Sequence, residues 1–172
     1  MRYFLYTRRH DYEPEEVRLG ADPFVSNLSQ SAFNSTLPTK IVIHGYNSDM
    51  FLNGLLQMKK RELTTFHTKT ITLHKVCRKV PVVFDANVKS CVSHTEYLMK
   101  EDMNVFVIDW GALAPAPCYP AAVWNTNFAG KCSALLLERL RELDTVDVHV
   151  IGFSLGTFMS LIVFLVSSSN LK

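Results

Sequence analysis

The alternation of hydrophobic and polar positions along the chain predicts four strands. Residues 1–7 alternate apolar and polar side chains before a charged segment, which is typical of a strand. Residues 39–43, 105–110 and 148–152 are dominated by β-branched and other apolar residues, as expected of strands that are covered on both faces. The charged and turn-rich residues 8–35 between the first two strands predict loops that join short edge strands.

One amphipathic helix is predicted over residues 124–143. Its apolar positions recur at steps of three and four residues, namely at Ala129, Cys132, Leu136, Leu140 and Leu143. A strand, a helix and a further strand in this order predict an α/β protein with a mostly parallel sheet and flanking helices. By contrast, residues 54–95 show neither the periodicity of a helix nor that of a strand for long. We therefore interpret residues 56–94 as an irregular insert in which only residues 81–84 resemble a strand.

The last predicted strand ends in a serine between two glycines, Gly152, Ser154 and Gly156. The spacing Gly-x-Ser-x-Gly between a strand and a helix is that of a nucleophile elbow, where the serine occupies a strained turn. The glycines are needed because neighbouring backbones leave no room for side chains. The pattern therefore predicts Ser154 as a nucleophile for acyl transfer, with an accidental glycine-serine turn as the alternative.

Two backbone N–H groups are predicted to form an oxyanion hole beside this serine. Leu155 follows the nucleophile at the start of a helix, where N–H groups are free. Tyr46 lies in the His44-Gly45-Tyr46 segment that follows the strand at residues 39–43, which is where an α/β-hydrolase places its second donor.

Composition and charge narrow the class of protein. The 172 residues suit a single domain, residues 1–172, and 48% of them are apolar. A net charge of +2 with interspersed signs gives no electrostatic basis for nucleic-acid binding. No apolar run reaches the roughly 20 residues of a transmembrane helix, and we expect no signal peptide at the amino terminus.

A metal site and a cofactor are not predicted. His74, Cys77, Cys91 and His94 have the paired spacing of zinc ligands, but no glycine turns either pair. Chance placement is the interpretation we adopt.

The segments at residues 2–48 and 96–156 resemble the amino-terminal half of the pancreatic-type animal lipase family, in particular its insect members. The resemblance covers residues 2–48 and 96–156, about two thirds of the chain. The matching blocks, in the family's order, are residues 6–9, 37–40, 44–48, 104–110, 117–122 and 149–156.

This resemblance implies an incomplete α/β-hydrolase fold and a secreted carboxylic ester hydrolase of lipids, either a triacylglycerol lipase or a phospholipase of the A1 type. Its substrate would be a lipid ester, and it would need no cofactor. Ser154 takes the nucleophile position, and Tyr46 and Leu155 take the oxyanion-hole positions. An extracellular location also favours a disulfide between Cys118 and Cys132, which lie in matching blocks.

The sequence departs from the family after the serine. The family's triad aspartate and histidine follow the nucleophile, whereas no Asp or His follows Ser154 here, so we expect an incomplete chain with little activity of its own. We expect Asp109 to be structural, His149 to pack or hydrogen-bond locally, and His44 to orient the backbone. The alternative function is a non-catalytic, lipase-like module that binds lipid or protein.

Overall fold

A five-stranded sheet with two long helices forms most of the described molecule. The structure, a computed structural model, describes residues 1–20, 26–48, 71–72, 83–84, 102–145 and 147–169. The strands are β1 (Arg2–Thr7), β2 (His10–Val17), β3 (Thr39–Ile43), β4 (Ile71–Thr72), β5 (Val83–Phe84), β6 (Asn104–Asp109) and β7 (Val148–Gly152). The helices are α1 (Tyr119–Glu142) and α2 (Leu155–Ser169), with single 3-10 turns at Leu28–Gln30 and Gly111–Leu113.

The large sheet is mixed, which corrects the expectation of a mostly parallel one. Its strand order is β2-β1-β6-β3-β7, in which β3 is parallel to both β6 and β7, while β1 is antiparallel to both β2 and β6. The reason at the amino terminus is local, because only Arg8 and Arg9 separate β1 from β2. A connection that short permits only an antiparallel pair. Strands β4 and β5 form a separate antiparallel pair, and β5 lies within residues 81–84, the part of residues 56–94 that resembles a strand in sequence.

Strand β2 is the element that the hydrophobic pattern missed. Its sequence is HDYEPEEV, and it pairs only with β1, so it lies at the edge of the sheet. Charged residues and a proline are tolerated at an edge, because one side of the strand needs no ladder partner. The remaining strands of the large sheet begin and end within one residue of the predicted bounds.

The core lies on both faces of this sheet. One face packs on the two helices, and its fully buried residues include Leu5, Ile41, Ile43, Phe106 and Ile108. The opposite face buries Phe4, Tyr6, Val42, Val105 and Val107. These sets alternate along each strand, as successive side chains point to opposite faces. Burial on both faces explains why the runs at residues 41–43 of β3 and 105–108 of β6 are continuously apolar.

Helix α1 starts earlier than its apolar pattern predicted. It begins at Tyr119, with Pro120 in the first turn, where a missing N–H costs nothing. Its buried positions include Ala129, Leu136 and Leu140, as expected. The helix packs on α2 at Gly130, where an added Cβ would lie 2.7 Å from the Cβ of Ile162. The two helix backbones can therefore approach closely.

The expected disulfide between Cys118 and Cys132 is wrong. Both thiols are free in the structure. Cys118 is the N-cap of α1 and Cys132 lies within the same continuous helix. At 1.5 Å of rise per residue, the two Cα atoms are about 21 Å apart, whereas a disulfide requires about 4.4–6.8 Å. The prediction failed because it assumed a loop at the residues that form the first turns of α1.

A buried amide fixes the loop that leads into β3. The Asn104 side chain is fully buried, and its Nδ2 donates to the Asn34 carbonyl oxygen at 2.8 Å and to the Thr39 Oγ1 at 3.0 Å. Its Oδ1 accepts from the Asn34 backbone N–H at 3.1 Å. One side chain thus satisfies both backbone polar groups of Asn34, which supports the position of β3 beside β6.

We predict that Asn104→Ala lowers the free energy of unfolding by about 2–3 kcal/mol, because it leaves the Asn34 N–H without a partner inside the protein and leaves the Asn34 carbonyl oxygen with only the Leu37 N–H. The measurement is urea unfolding followed by circular dichroism. The matched control is Asn125→Ala, which removes one part-buried bond from Nδ2 to the Leu113 carbonyl oxygen and should cost about 1 kcal/mol. Equal losses in the two variants would contradict the role given to Asn104.

Candidate active site

Ser154 occupies a strained turn between β7 and α2. Its φ angle is 53°, in the left-handed region that a residue with a side chain seldom adopts. The strand ends at Gly152 and the helix begins at Leu155, so the turn spans only Phe153 and Ser154. The Ser154 side chain is exposed, although the residues that follow it are buried. A strand, a tight turn and a helix therefore occupy the positions that the sequence pattern predicts for them.

Three glycines make this turn sterically possible. A Cβ at Gly152 would overlap the carbonyl group of Gly156, and a Cβ at Gly156 would overlap the carbonyl oxygen of Ile43 at the end of β3. A Cβ at Gly45 would lie 2.9 Å from the Ser154 Cβ and 3.6 Å from its Oγ. The residues after β3 and the turn after β7 are therefore in direct contact.

The segment after β3 brings Tyr46 to the side of Ser154. A hydrogen bond of 3.0 Å from the Phe153 N–H to the Ile43 carbonyl oxygen joins the ends of β3 and β7. The next residues, His44 and Gly45, are buried, and Tyr46 is half-buried. Among the described residues, neither the Tyr46 N–H nor the Leu155 N–H donates in a loop hydrogen bond. Neither N–H is therefore used in the hydrogen bonding of these loops.

A buried polar network supports this segment. The His44 ring is fully buried, with Nδ1 2.8 Å from the Gly45 carbonyl oxygen and Nε2 3.2 Å from the Trp110 backbone nitrogen. The Trp110 indole N–H donates to the His44 carbonyl oxygen at 2.8 Å. Asp109 Oδ1 accepts the Gly111 N–H at 3.0 Å and lies 3.4 Å from Nε2. His44 and Asp109 are thus held by contacts to the backbone of Gly45, Trp110 and Gly111.

Two aromatic residues at the site, Tyr119 and Trp110, were not predicted to lie there from the sequence pattern. The ring of Tyr46 meets the ring of Tyr119 edge to face, with centroids 5.1 Å apart. Trp110 stacks near His44 at 5.9 Å between ring centroids. Both partners belong to distant segments of the chain, so only the folded sheet brings them to the loop.

The remaining candidate base, His149, has its ring engaged near the start of β7. Its Nε2 is 2.9 Å from Asp147 Oδ1, and the residue lies five positions before Ser154 in the chain. Burial, followed by the positive charge of Lys40, lowers the pKa of His149 below 6.5 despite the opposing effect of Asp147. Among the described residues, no side chain makes a hydrogen bond to the Ser154 hydroxyl.

The described residues contain no group of three or more His, Cys, Asp or Glu that could hold a metal ion. The zinc-like set His74, Cys77, Cys91 and His94 lies outside the described residues, as does most of the segment at residues 56–94. Within the described ranges, neither helix combines the length and apolar character required to cross a bilayer.

Comparison with known proteins gives a consistent result. The family model described as Lipase matches residues 1–163. The chain is 31% identical to human hepatic triacylglycerol lipase over 137 residues, which are 77% of this chain and 21% of that protein. It is 29% identical to the mouse protein and 30% identical to the rat protein, in each case over 87% of this chain and over 24% and 25% of the relative. The chain thus spans about a quarter of the length of these relatives.

We predict that Gly156→Ala lowers the free energy of unfolding by about 3 kcal/mol, because the new methyl group meets the backbone carbonyl oxygens of Ile43 and His44. The measurement is chemical denaturation. The control is Gly111→Ala, in which the nearest atom is Asp109 Oδ1 at 3.3 Å, a side-chain atom that can shift. The contact between β3 and the turn would be contradicted if Gly156→Ala were the milder change.

Acid should weaken the fold through His149. Because the folded-state pKa is lowered, the unfolded chain binds the proton first, and stability is lost as the pH falls below about 6.5. We expect His149→Gln to reduce the loss of stability between pH 7.5 and pH 5.0, measured by urea unfolding at each pH. A larger loss in the variant than in the wild type would mean that the ion pair with Asp147 outweighs burial.

Proposed function

Because this chain belongs to the Lipase family, we propose that it carries the nucleophile and the oxyanion hole of a carboxylic ester hydrolase that acts on lipids. The observation that supports this most directly is the left-handed φ angle of the exposed Ser154, next to the segment that carries Tyr46. An α/β-hydrolase fold is part of the proposal, and the strand, turn and helix formed by β7, Ser154 and α2 beside β3 support it.

The proposed chemistry is acyl transfer through Ser154. The Oγ attacks the carbonyl carbon of a lipid ester, the hydroxyl proton passes to a base, and the carbonyl oxygen becomes negatively charged. The N–H groups of Tyr46 and Leu155 stabilise that oxygen, with the amino terminus of α2 adding a favourable dipole. Collapse of the intermediate releases the alcohol, and water then removes the acyl group. Gly152 and Gly156 act by permitting the turn.

The base and its carboxylate partner are proposed to come from outside the described residues. A serine hydroxyl is a weak nucleophile unless a base lies within hydrogen-bond distance. His44 and His149 are engaged by Gly45, Trp110 and Asp147, so neither is the base in this proposal. A histidine and an acid must therefore approach Ser154 from another segment before the site is fully active.

The substrate class follows from the relatives. The matched proteins are named triacylglycerol lipases, so we propose an acylglycerol or a phospholipid as substrate, with triacylglycerol lipase or phospholipase A1 activity. We propose an extracellular location from the resemblance to the animal lipase family, and no cofactor is needed for serine-based ester hydrolysis.

A second candidate is a non-catalytic module that binds lipid. The observation in its favour is that no described side chain bonds to the Ser154 hydroxyl. Exposed aromatic side chains on α1 and α2, among them Trp124, Phe128 and Phe158, could contact a lipid or a protein. The two candidates differ in whether Ser154 reacts.

We predict that a fluorophosphonate probe labels the chain slowly and that Ser154→Ala abolishes the labelling, because the oxyanion hole stabilises the charge that develops when Ser154 Oγ attacks the phosphorus, even before a base has reached the hydroxyl. The readout is in-gel fluorescence and peptide mapping. Ser168→Ala is the control, since that hydroxyl bonds to the Phe164 carbonyl oxygen later in α2 and should not affect labelling.

Absence of labelling in the wild-type chain would contradict the catalytic proposal. If such a chain also bound phosphatidylcholine vesicles, and Ser154→Ala bound them equally, the result would support the non-catalytic module. Labelling that persists in Ser154→Ala would show that the nucleophile is another residue.

A further inference from the structure

The proposed oxyanion donor at Tyr46 shares a peptide unit with the Gly45 carbonyl. A trans peptide is planar, and its C=O and N–H bonds point in opposite directions. Any contact that fixes the direction of the Gly45 C=O therefore also fixes the direction of the Tyr46 N–H. That direction matters because a catalytic donor must point at the place where negative charge develops.

Gly45 cannot hold this peptide by itself. The position must be glycine because a Cβ would come within 2.9 Å of the Ser154 Cβ. Without a Cβ, however, the φ and ψ angles of the residue are restricted less than those of any other amino acid. The close contact with Ser154 therefore creates a need for an external constraint on the peptide between Gly45 and Tyr46.

The His44 ring makes the contact that the peptide requires. Nδ1 lies 2.8 Å from the Gly45 carbonyl oxygen, which can only accept, so Nδ1 carries a proton and donates it to Gly45. Nε2 accepts the Trp110 backbone N–H at 3.2 Å and also lies 3.4 Å from Asp109 Oδ1. The Nδ1–H donor of His44 is therefore directed at Gly45.

The ring itself has little freedom to rotate. It is fully buried, and the Trp110 indole lies beside it with 24° between the ring planes. The same indole donates to the His44 carbonyl oxygen at 2.8 Å, so Trp110 holds both the ring and the backbone of His44. A buried hydrogen bond of this kind is stiff, because breaking it would leave polar atoms without partners.

We propose that His44 is a positioning residue that aims the Tyr46 N–H at the oxyanion by holding the Gly45 carbonyl. The inference rests on the proposed function for its catalytic meaning, but the orientation of the peptide can be measured without any activity. His44 acts through Tyr46 and does not touch the substrate, and it takes no proton from Ser154.

Two substitutions separate the donor on Nδ1 from the acceptor on Nε2. Asparagine carries an amide N–H one bond from Cγ, as Nδ1 is in histidine, so His44→Asn keeps a donor for Gly45. Glutamine places its amide one bond further out, near the Nε2 position, so His44→Gln keeps a partner for the Trp110 N–H and loses the donor. Both variants replace a buried imidazole by a primary amide, which makes each a control for the other in thermal unfolding.

The test is the residual dipolar coupling of the Tyr46 N–H in the isotope-labelled 172-residue chain, which reports the direction of that bond. We expect the wild-type value in His44→Asn and a changed value in His44→Gln. The rate of fluorophosphonate labelling should fall about tenfold or more in His44→Gln and by less than about threefold in His44→Asn. An unchanged coupling in His44→Gln, or an equal change in both variants, would overturn the proposal.

If His44→Gln does not fold, the wild-type chain still decides the question. A scalar coupling across the hydrogen bond from His44 Nδ1 to the Gly45 carbonyl carbon is expected, and its absence overturns the proposal. If the wild-type chain shows that coupling but does not react with the fluorophosphonate probe, the result would contradict the proposed function. The role of His44 in orienting the peptide would remain intact. The two failures are therefore distinguishable.

Discussion

The close contact of two backbones, at the carboxyl ends of β3 and β7, is the constraint on which the rest of this site depends. Gly152 and Gly156 leave room for a turn at Ser154, and Gly45 leaves room for the loop beside it. Each glycine has backbone or Ser154 itself among its nearest neighbours, so moving a flexible side chain cannot relieve any of the three contacts. Because β3 and β7 are parallel neighbours, their ends meet at the same edge of the sheet. Parallel pairing is thus what brings the proposed nucleophile to the proposed oxyanion donors.

The backbone around this contact also needs hydrogen-bond partners. His44 and Gly45 are buried, so their polar groups need partners inside the protein, because unpaired buried groups would destabilise the fold. His44, Asp109 and Trp110 supply the partners, and Asn104 does so for the loop that enters β3 at the opposite end of the strand. The hydrogen bonds of these four residues thus hold the backbone around the site in place. They account for the buried His44 and the half-buried Asp109 without giving either a role in proton transfer.

Ester hydrolysis by a serine needs two kinds of groups, donors for the oxyanion and a base for the hydroxyl, and the structure separates them. Stabilising the oxyanion requires rigid donors, and these come here from backbone groups held by β3, β7 and the start of α2. Activating the serine requires a titratable base, which the described residues do not bring to Ser154 Oγ. The lipases that the chain matches are about four times longer than the matched part. The proposed function therefore assigns to this chain the part of catalysis that depends on backbone geometry.

The sequence by itself determined the elements with strong local signals. The apolar runs fixed β3, β6 and β7, and the glycine spacing around Ser154 fixed the turn, because both patterns are consequences of burial and sterics within a few residues. Only the tertiary structure decided that β2 is a charged edge strand, that α1 begins at Tyr119 and separates Cys118 from Cys132, and that Tyr119 meets Tyr46. The physical reason is that strand order, helix phase and long-range contacts depend on which surfaces pack together, which no short window of sequence encodes.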